Sequence, residues 1–135
     1  MSARHKARKR ALDILFESAI RKSDALGILS EKESDPDVVL NEYTPVLVRG
    51  VCENLVGIDD VIAQFSRGWQ IERMPPVDLC ILRLGVYELL CQPELPENVA
   101  ISEAVELATE LSTDESPSFV NGVLAQVAQE RPSLS

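Results

Sequence analysis

The first ten residues concentrate the side chains whose charge could recognise a ligand. Five of the chain's 13 Lys and Arg residues lie there with its single His, whereas all 22 Asp and Glu residues come later in the sequence. A cationic segment on a chain of net charge -9 is typical of a surface that binds a polyanion. The charged or chargeable residues of this segment are Arg4, His5, Lys6, Arg8, Lys9 and Arg10.

These cations occupy the first turns of a predicted amphipathic helix. Apolar residues recur from Ala7 to Ile20 at the three-and-four spacing of a helix, and Arg4 and Arg8 are expected beside its buried face. The N-terminus of a helix carries about half a positive charge and therefore repels cations. Bound phosphates would offset that repulsion, because amides, dipole and side chains would all face the same anions. Without a ligand, the segment would be a solvated basic terminus.

Catalytic chemistry finds little support in the sequence. His5 is the only histidine and is expected in a mobile tip, so a zinc site or a histidine-activated nucleophile lacks its second group. The six glycines are scattered and form no phosphate-binding loop. Neighbouring acids such as Glu103 and Glu106 could transfer protons, but acids on a helix surface are far more common. We expect no enzyme activity, no cofactor and no metal.

Length and composition indicate one domain of ordinary size. A chain of 135 residues can bury one core, and no apolar run approaches the length of a membrane span or a signal peptide. We therefore expect a cytoplasmic protein. The odd number of cysteines favours free thiols within helices, and these residues are Cys52, Cys80 and Cys91.

In the N-terminal half, the pattern predicts a first helix from a Ser2 cap to about Lys22. An acidic connection with at most one helical turn, at residues 25–29, should follow. Apolar residues every four positions predict a second helix from about Leu40 to Val56, ended by Gly57. A shorter helix should begin at residue 58 or 59.

Residues 67–76 break the helical pattern with Gly and Pro and carry the only Trp, Trp69, which is expected to fill a seam between helices. Residues 77–92 are apolar on nearly every side and predict a central helix. Two further helices should start at caps Asn98 and Ser116, and residues 131–135 should fray. The predicted fold is all-α, a single domain over residues 1–135 made of two packed helical bundles, about 1–68 and 69–135.

Polar residues on the last three helices have simple interpretations. Arg83 and Glu88 lie on the mostly apolar central helix, so each should pair with a charge on a neighbouring helix. Glu103, Glu106 and Glu110 share one helical face, which is most simply a solvated surface.

The residues also carry a resemblance to a known family. The chain resembles the NusB family of bacterial transcription antitermination factors from about Arg4 to Val127. The segments that carry it are residues 7–12 with 15–17, 48–51, 58–59, Trp69, 77–78, 81–84, 87–90, 99–108 and 119–124. The order of Leu-Arg, Tyr-Glu-Leu and Phe-Val-Asn-Gly-Val-Leu makes the resemblance specific.

The resemblance implies a seven-helix or similar all-α fold of two bundles, without catalysis. Members of the family bind the single-stranded boxA element of nascent ribosomal RNA leaders. They usually do so as a heterodimer with the small-subunit ribosomal protein NusE, and they help RNA polymerase to pass terminators. Some members pair with themselves, so a homodimer is an open alternative.

Roles for individual residues follow from the resemblance by position. The implied RNA-binding residues are Arg4, His5, Lys6, Arg8, Arg10 and Phe119. Phe16, where the family often has Tyr, and Asp78, where it usually has Glu, are the implied contacts with NusE. In the purely structural alternative, Phe16 and Phe119 lie in the core, and Asp78 is an acidic residue that stabilises the N-terminus of its helix.

Two other functions remain open at this point. The basic segment could dock an acidic protein segment, which would make the chain a protein-interaction adaptor without RNA. The chain also resembles the helical RNA-binding region of some ribosomal RNA cytosine methyltransferases, which append a methyl-donor domain that we do not expect here.

Overall fold

The computed structural model describes residues 2–134, and those residues form helices without any strand. The all-α fold class is therefore confirmed. The helices are α1 (Ala3–Arg21), α2 (Ala25–Ser34), α3 (Tyr43–Glu53), α4 (Leu55–Phe65), α5 (Pro76–Cys91), α6 (Glu97–Leu111) and α7 (Ser116–Glu130), with a 3₁₀ turn at Ile71–Arg73. Among the described residues, no helix combines the length and apolar character that crossing a membrane requires.

Helix α1 begins and ends where the sequence predicts. The Ser2 side chain accepts a hydrogen bond from the His5 backbone amide at 3.0 Å, which caps the first turn. Lys22 ends the helix in the left-handed conformation, with φ of 53°, and its amide bonds to the Ser18 carbonyl. Both ends are therefore set by local interactions.

Helix α2 is longer than the single predicted turn. Asp24 caps it by accepting from the Leu26 amide at 3.1 Å, and Ile28 and Leu29 are buried against the core. A side-chain cap and two buried apolar residues stabilise ten residues of helix in a segment that reads as an acidic connection.

The predicted stop at Gly57 is wrong. Helix α3 ends at Glu53, and Gly57 lies in the first turn of α4. A Cβ atom at Gly57 would lie 2.2 Å from the Leu134 carbonyl oxygen, so the C-terminal segment approaches this helix as closely as a glycine allows. The glycine serves a tertiary contact rather than a helix end.

The predicted fraying of residues 131–134 is also wrong, and Ser135 lies outside the described residues. One Arg131 nitrogen donates to the Leu89 carbonyl at 3.1 Å, and another pairs with Glu97. Leu134 is partly buried against the core. The segment after α7 therefore packs back onto α4 and α5.

Helix α5 is central, as its apolar character predicts, and it packs against α1, α3, α4, α6 and α7. Its neighbours approach it at glycines: a Cβ at Gly50 of α3 would lie 2.2 Å from the Tyr87 ring, and one at Gly85 would lie 2.6 Å from Leu124. Cys80 of this helix is buried in the core. Helix α4 packs on α5 and α7 as well as on α3, so the division near residue 68 stays a prediction.

The starts of the last two helices differ slightly from the predictions. Helix α6 begins at Glu97 after Pro96, so Asn98 is inside the first turn rather than at its cap. Helix α7 begins at Ser116, with Pro117 in its first turn. Proline fits both positions because it needs no amide partner there.

We expect Gly50→Ala to lower the free energy of unfolding by about 1–3 kcal/mol, because the added methyl would force the buried Tyr87 ring to move. Urea unfolding followed by circular dichroism measures this change. Gly27→Ala in α2 is the control, because its new methyl would lie 3.9 Å from the nearest atom, and it should raise stability by up to about 1 kcal/mol. Equal stability of Gly50→Ala and wild type would contradict the close approach of α3 and α5.

Candidate nucleic-acid interface

An ion pair buried between α1 and α5 holds the basic segment against the protein. Arg8 and Glu88 are only 3% and 2% exposed. The Arg8 Nε donates to both carboxylate oxygens of Glu88, at 2.9 and 3.0 Å, and its Nη1 donates to Glu103 of α6 at 2.6 Å. The prediction that Glu88 pairs with a neighbouring helix is confirmed, as is that for Arg83, which bonds to Asp59 at 2.8 and 2.9 Å.

Tyr43, at the start of α3, completes this network of buried Arg8, Tyr43 and Glu88 with half-buried Glu103. Its hydroxyl donates to Glu88 at 2.5 Å. Burial, followed by the hydrogen bond and charge of Glu88, raises the pKa of Tyr43, so the hydroxyl keeps its proton. The guanidinium of Arg4 lies 4.0 Å from the centre of the Tyr43 ring, a cation–π distance. The network therefore also fixes the position of Arg4.

His5 lies in a second cluster of charges, on the side of α1 that faces α6. Its Nδ1 is 3.1 Å from Glu103 and its Nε2 is 2.8 Å from Glu110, while Glu106 lies at 3.8 Å. Burial opposes a charged imidazole, but the hydrogen bonds to Glu110 and Glu103 and the charges of Glu103 and Glu106 outweigh it and raise the pKa of His5. The bond to His5, with help from Lys9, lowers the pKa of Glu110.

Two predictions about this region are wrong. His5 is not in a mobile tip, because only 2% of it is exposed. The glutamate face of α6 is not simply solvated, because Glu103 and Glu110 bond to side chains of α1. The physical reason is charge compensation: the carboxylates of α6 offset the cations that the N-terminus of α1 disfavours.

The carboxylates around His5 also lie close enough to one another to hold a metal ion. Ligand atoms of His5, Glu103 and Glu106 all lie within 4.8 Å of one another. Arg8 and Lys9 already bond or pair with carboxylates of this face, at Glu103 and Glu110. A metal ion would have to displace the His5 proton from its bond with Glu103, so the arrangement fits an imidazolium better.

The remaining cations of the segment face outwards. Arg4, Lys6 and Arg10 are exposed, and we call these three residues the basic surface. Lys6 and Arg10, one helical turn apart, line a groove of about 290 Å³ whose other wall is the segment before α3, including Val39 and Asn41. The structure thus divides the predicted RNA-binding residues of this segment: Arg4, Lys6 and Arg10 are at the surface, and His5 and Arg8 are inside.

The implied contacts with a protein partner lie partly or wholly inside the fold. Phe16 is partly buried against the core. Asp78 is buried, and its two carboxylate oxygens accept hydrogen bonds from Ser112 at 2.6 Å and from Ser116 at 3.0 Å. Asp78 therefore joins the start of α5 to the connection between α6 and α7.

Trp69 and Phe119 form an aromatic pair at the surface. Their ring centres are 6.0 Å apart with the planes inclined by 56°, and Trp69 is 54% exposed. The prediction that Trp69 fills a seam between helices is therefore wrong, because more than half of the side chain is exposed. Phe119 is partly buried beside it. Neither Tyr43 nor Trp69 was among the residues predicted for a site, although the rarity of aromatic residues in this chain was a usable signal.

We expect Arg8→Ala to destabilise the protein by about 3–5 kcal/mol, because it leaves the Glu88 carboxylate buried without its cation. Arg10→Ala, two positions away on the exposed face, is the matched control and should change stability by less than about 0.5 kcal/mol. Chemical unfolding of both variants measures the two changes in the free energy of unfolding. Similar stabilities would show that the Arg8–Glu88 pair does not stabilise the fold.

The raised pKa of His5 makes part of the stability depend on pH. A raised pKa in the folded state adds stability that is fully present below the unfolded value, about 6.5, and is lost as pH rises through the folded value. The loss of stability on His5→Gln should therefore be larger at about pH 6 than at about pH 9. Urea unfolding of wild type, His5→Gln and the exposed control Lys6→Gln measures it. A His5→Gln effect independent of pH would contradict a charged His5.

Comparison with known proteins gives a consistent result. A sequence model of the NusB family matches residues 5–129. A protein from Nocardioides sp. named Transcription antitermination protein NusB is 51% identical over 135 residues, covering all of both chains. A protein of the same name from Arthrobacter sp. is 50% identical, covering 99% of this chain and 98% of its own.

Solved structures agree with the sequences. T. maritima NusB matches with a TM-score of 0.85 and 34% identity, over 96% of this chain and 92% of its own. A structure described as antitermination factors NusB and NusE in complex with dsRNA matches with a TM-score of 0.83 and 25% identity, over 96% and 98% of the two chains. The chain therefore belongs to the NusB family.

Proposed function

We propose that this protein is a transcription antitermination factor that binds boxA RNA in nascent ribosomal RNA leaders together with NusE and helps RNA polymerase to read through terminators. The observation that carries the proposal is the basic surface, Arg4, Lys6 and Arg10, held on the first turns of α1 in a chain of net charge -9. The relatives' shared name and the complex of NusB, NusE and RNA support it. No catalytic step is part of the role, which is regulatory and cytoplasmic.

RNA phosphates are the natural ligands of the basic surface. Arg4, Lys6 and Arg10 bring three side-chain cations to the N-terminal turns of α1, whose amides and dipole also favour anions. His5 and Arg8 position these turns from inside the protein, through their bonds to α5 and α6. Binding through a few phosphates is weak and depends strongly on salt, so the isolated protein should need a partner for tight binding.

A basic partner such as a ribosomal protein fits the rest of the molecule. All acidic residues lie beyond the basic segment, so the rest of the chain has a net negative charge. A negatively charged surface attracts a cationic protein and speeds its association. Phe16 remains a proposed contact with NusE because part of it is exposed. For Asp78 we propose an indirect role, since it holds Ser112 and Ser116 in place before α7. Docking to RNA polymerase belongs to the same proposal, and a homodimer is the alternative to the heterodimer with NusE.

The triple variant Arg4→Ala, Lys6→Ala, Arg10→Ala should bind boxA RNA much more weakly while keeping its fold and its NusE binding. Removing three phosphate contacts should reduce the slope of log K against log salt by about 2, at about 0.7 per phosphate. Fluorescence anisotropy of labelled RNA over a salt series measures both quantities.

The matched control removes the same charge elsewhere, with Arg21→Ala, Lys32→Ala and Arg49→Ala. This control should retain most of the RNA affinity. Equal losses in the two triple variants would show that only net charge matters. Equal binding of boxA RNA and a scrambled RNA, with NusE present, would instead favour the protein-interaction adaptor.

A further inference from the structure

The bonds of His5 require a proton on both nitrogens of its ring. Nδ1 lies 3.1 Å from Glu103 and Nε2 lies 2.8 Å from Glu110. An ionised carboxylate only accepts hydrogen bonds, and a neutral imidazole has one nitrogen that donates and one that can only accept. The imidazolium alone can donate to both glutamates at once. The geometry of the cluster is therefore that of a charged His5.

We propose that RNA binding by this protein is linked to the proton on His5, so that the affinity for RNA falls as the ring loses that proton. This inference rests on the proposed function and concerns the regulation of the same basic surface. His5 is a positioning residue here, because only 2% of it is exposed and it acts on RNA through the turn that it holds. It is the only histidine in the chain, and histidine is the side chain whose ordinary pKa lies near neutrality.

The charges around His5 come from three helices. The carboxylates lie on α5 and α6, and they are Glu88, Glu103, Glu106 and Glu110. The cations lie on α1, and they are His5, Arg8 and Lys9. Tyr43 of α3 adds no charge, because its raised pKa keeps the phenol protonated. With His5 charged, four carboxylates of this cluster face three cations, and without its proton they face two. Loss of the proton therefore adds an uncompensated negative charge beside the basic surface.

Loss of the proton also removes one of the two bonds by which His5 anchors the first turns of α1. The neutral ring can donate to Glu103 or to Glu110, and the other carboxylate then faces the lone pair of a ring nitrogen. Glu103 is also held by Arg8 at 2.6 Å, whereas the other partner of Glu110 is half-exposed Lys9 at 3.4 Å. We expect Glu110 to turn away. The turns that carry the basic surface are then held less firmly against α6.

Linkage between RNA and the proton acts in both directions. Phosphates on Arg4 and Lys6, the neighbours of His5 in the chain, act on the ring partly through protein, where salt screens little. They favour the imidazolium, so binding takes up protons. Although burial opposes the charge, the glutamates already raise the pKa of His5 in the free protein above its ordinary 6.5, and bound RNA raises it again. Affinity should be constant below the pKa of the free protein, fall as pH rises to the pKa of the complex, and be constant above it.

The first measurement uses His5 as its own reporter, because no other histidine contributes imidazole resonances. NMR titration of the full-length protein with pH, alone and saturated with boxA RNA, gives the pKa of His5 in both states. The pKa should lie above 6.5 in the free protein and higher still in the complex. A pKa that RNA leaves unchanged would overturn the inference without the use of any variant.

The second measurement is the affinity itself, from the anisotropy of labelled boxA RNA at constant ionic strength between about pH 6 and about pH 8.5. Wild-type affinity should fall by at least about fivefold, the lower end of the usual coupling between two sites. His5→Gln should bind at every pH about as weakly as wild type does at high pH. His5→Arg keeps a cation that can donate to both glutamates, so it should bind without the fall.

Arg10→Ala is the matched control, because it removes a cation of the basic surface and leaves the His5 cluster intact. It should weaken RNA binding at every pH and keep the pH dependence of wild type. The α-amino group of the chain also titrates in this range, near about pH 8. A pH dependence that persists in His5→Arg would assign the effect to that group and contradict the role of His5.

The outcomes separate this inference from the proposed function. RNA binding that requires the basic surface but has the same affinity at every pH would overturn the proton linkage alone. A wild-type pH dependence that is absent from His5→Arg supports the linkage, whatever the affinity of that variant. Absence of RNA binding at every pH would overturn both proposals.

Discussion

The buried ion pair between Arg8 and Glu88 is the interaction on which the rest of the surface depends. It joins α1 to the central helix α5, while Tyr43 adds α3 and Glu103 adds α6. Four helices thus meet at one carboxylate and one guanidinium. A buried pair of this kind adds little net stability, because both charges lose their hydration. It fixes the geometry of the helices, since either charge would be strongly destabilising without its partner. Arg4 is held in turn by the Tyr43 ring.

Much of the fold follows from local sequence, and the exceptions have tertiary causes. The central helix α5 and the ends of α1 are predictable because apolar periodicity and side-chain caps act within a few residues. The prediction of a helix end at Gly57 fails because the glycine is required by its contact with Leu134, far along the chain. The packed segment after α7 is missed for the same reason, since the bond from Arg131 to Leu89 has no local signature.

The candidate site shows the same limit at the level of single side chains. Composition reveals a cationic segment, but not which cations are paired inside the protein. The helical spacing places Arg8 beside the buried face, and the same spacing could have placed His5, three residues earlier, on the inner face as well. Their partners on α5 and α6 could not be chosen from sequence alone. Trp69 is similar, because a connector leaves the direction of its side chain undetermined.

The contacts of His5 also bear on how the molecule is made. His5 and Glu110 are separated by 105 positions, and Arg8 and Glu88 by 80. Such distant pairings form late, because the loop between them must close first. During synthesis the opening helix emerges from the ribosome early but stays without its anchors until α6 has followed. A nascent chain would therefore present ordered cations on α1 only once nearly all of it has been translated.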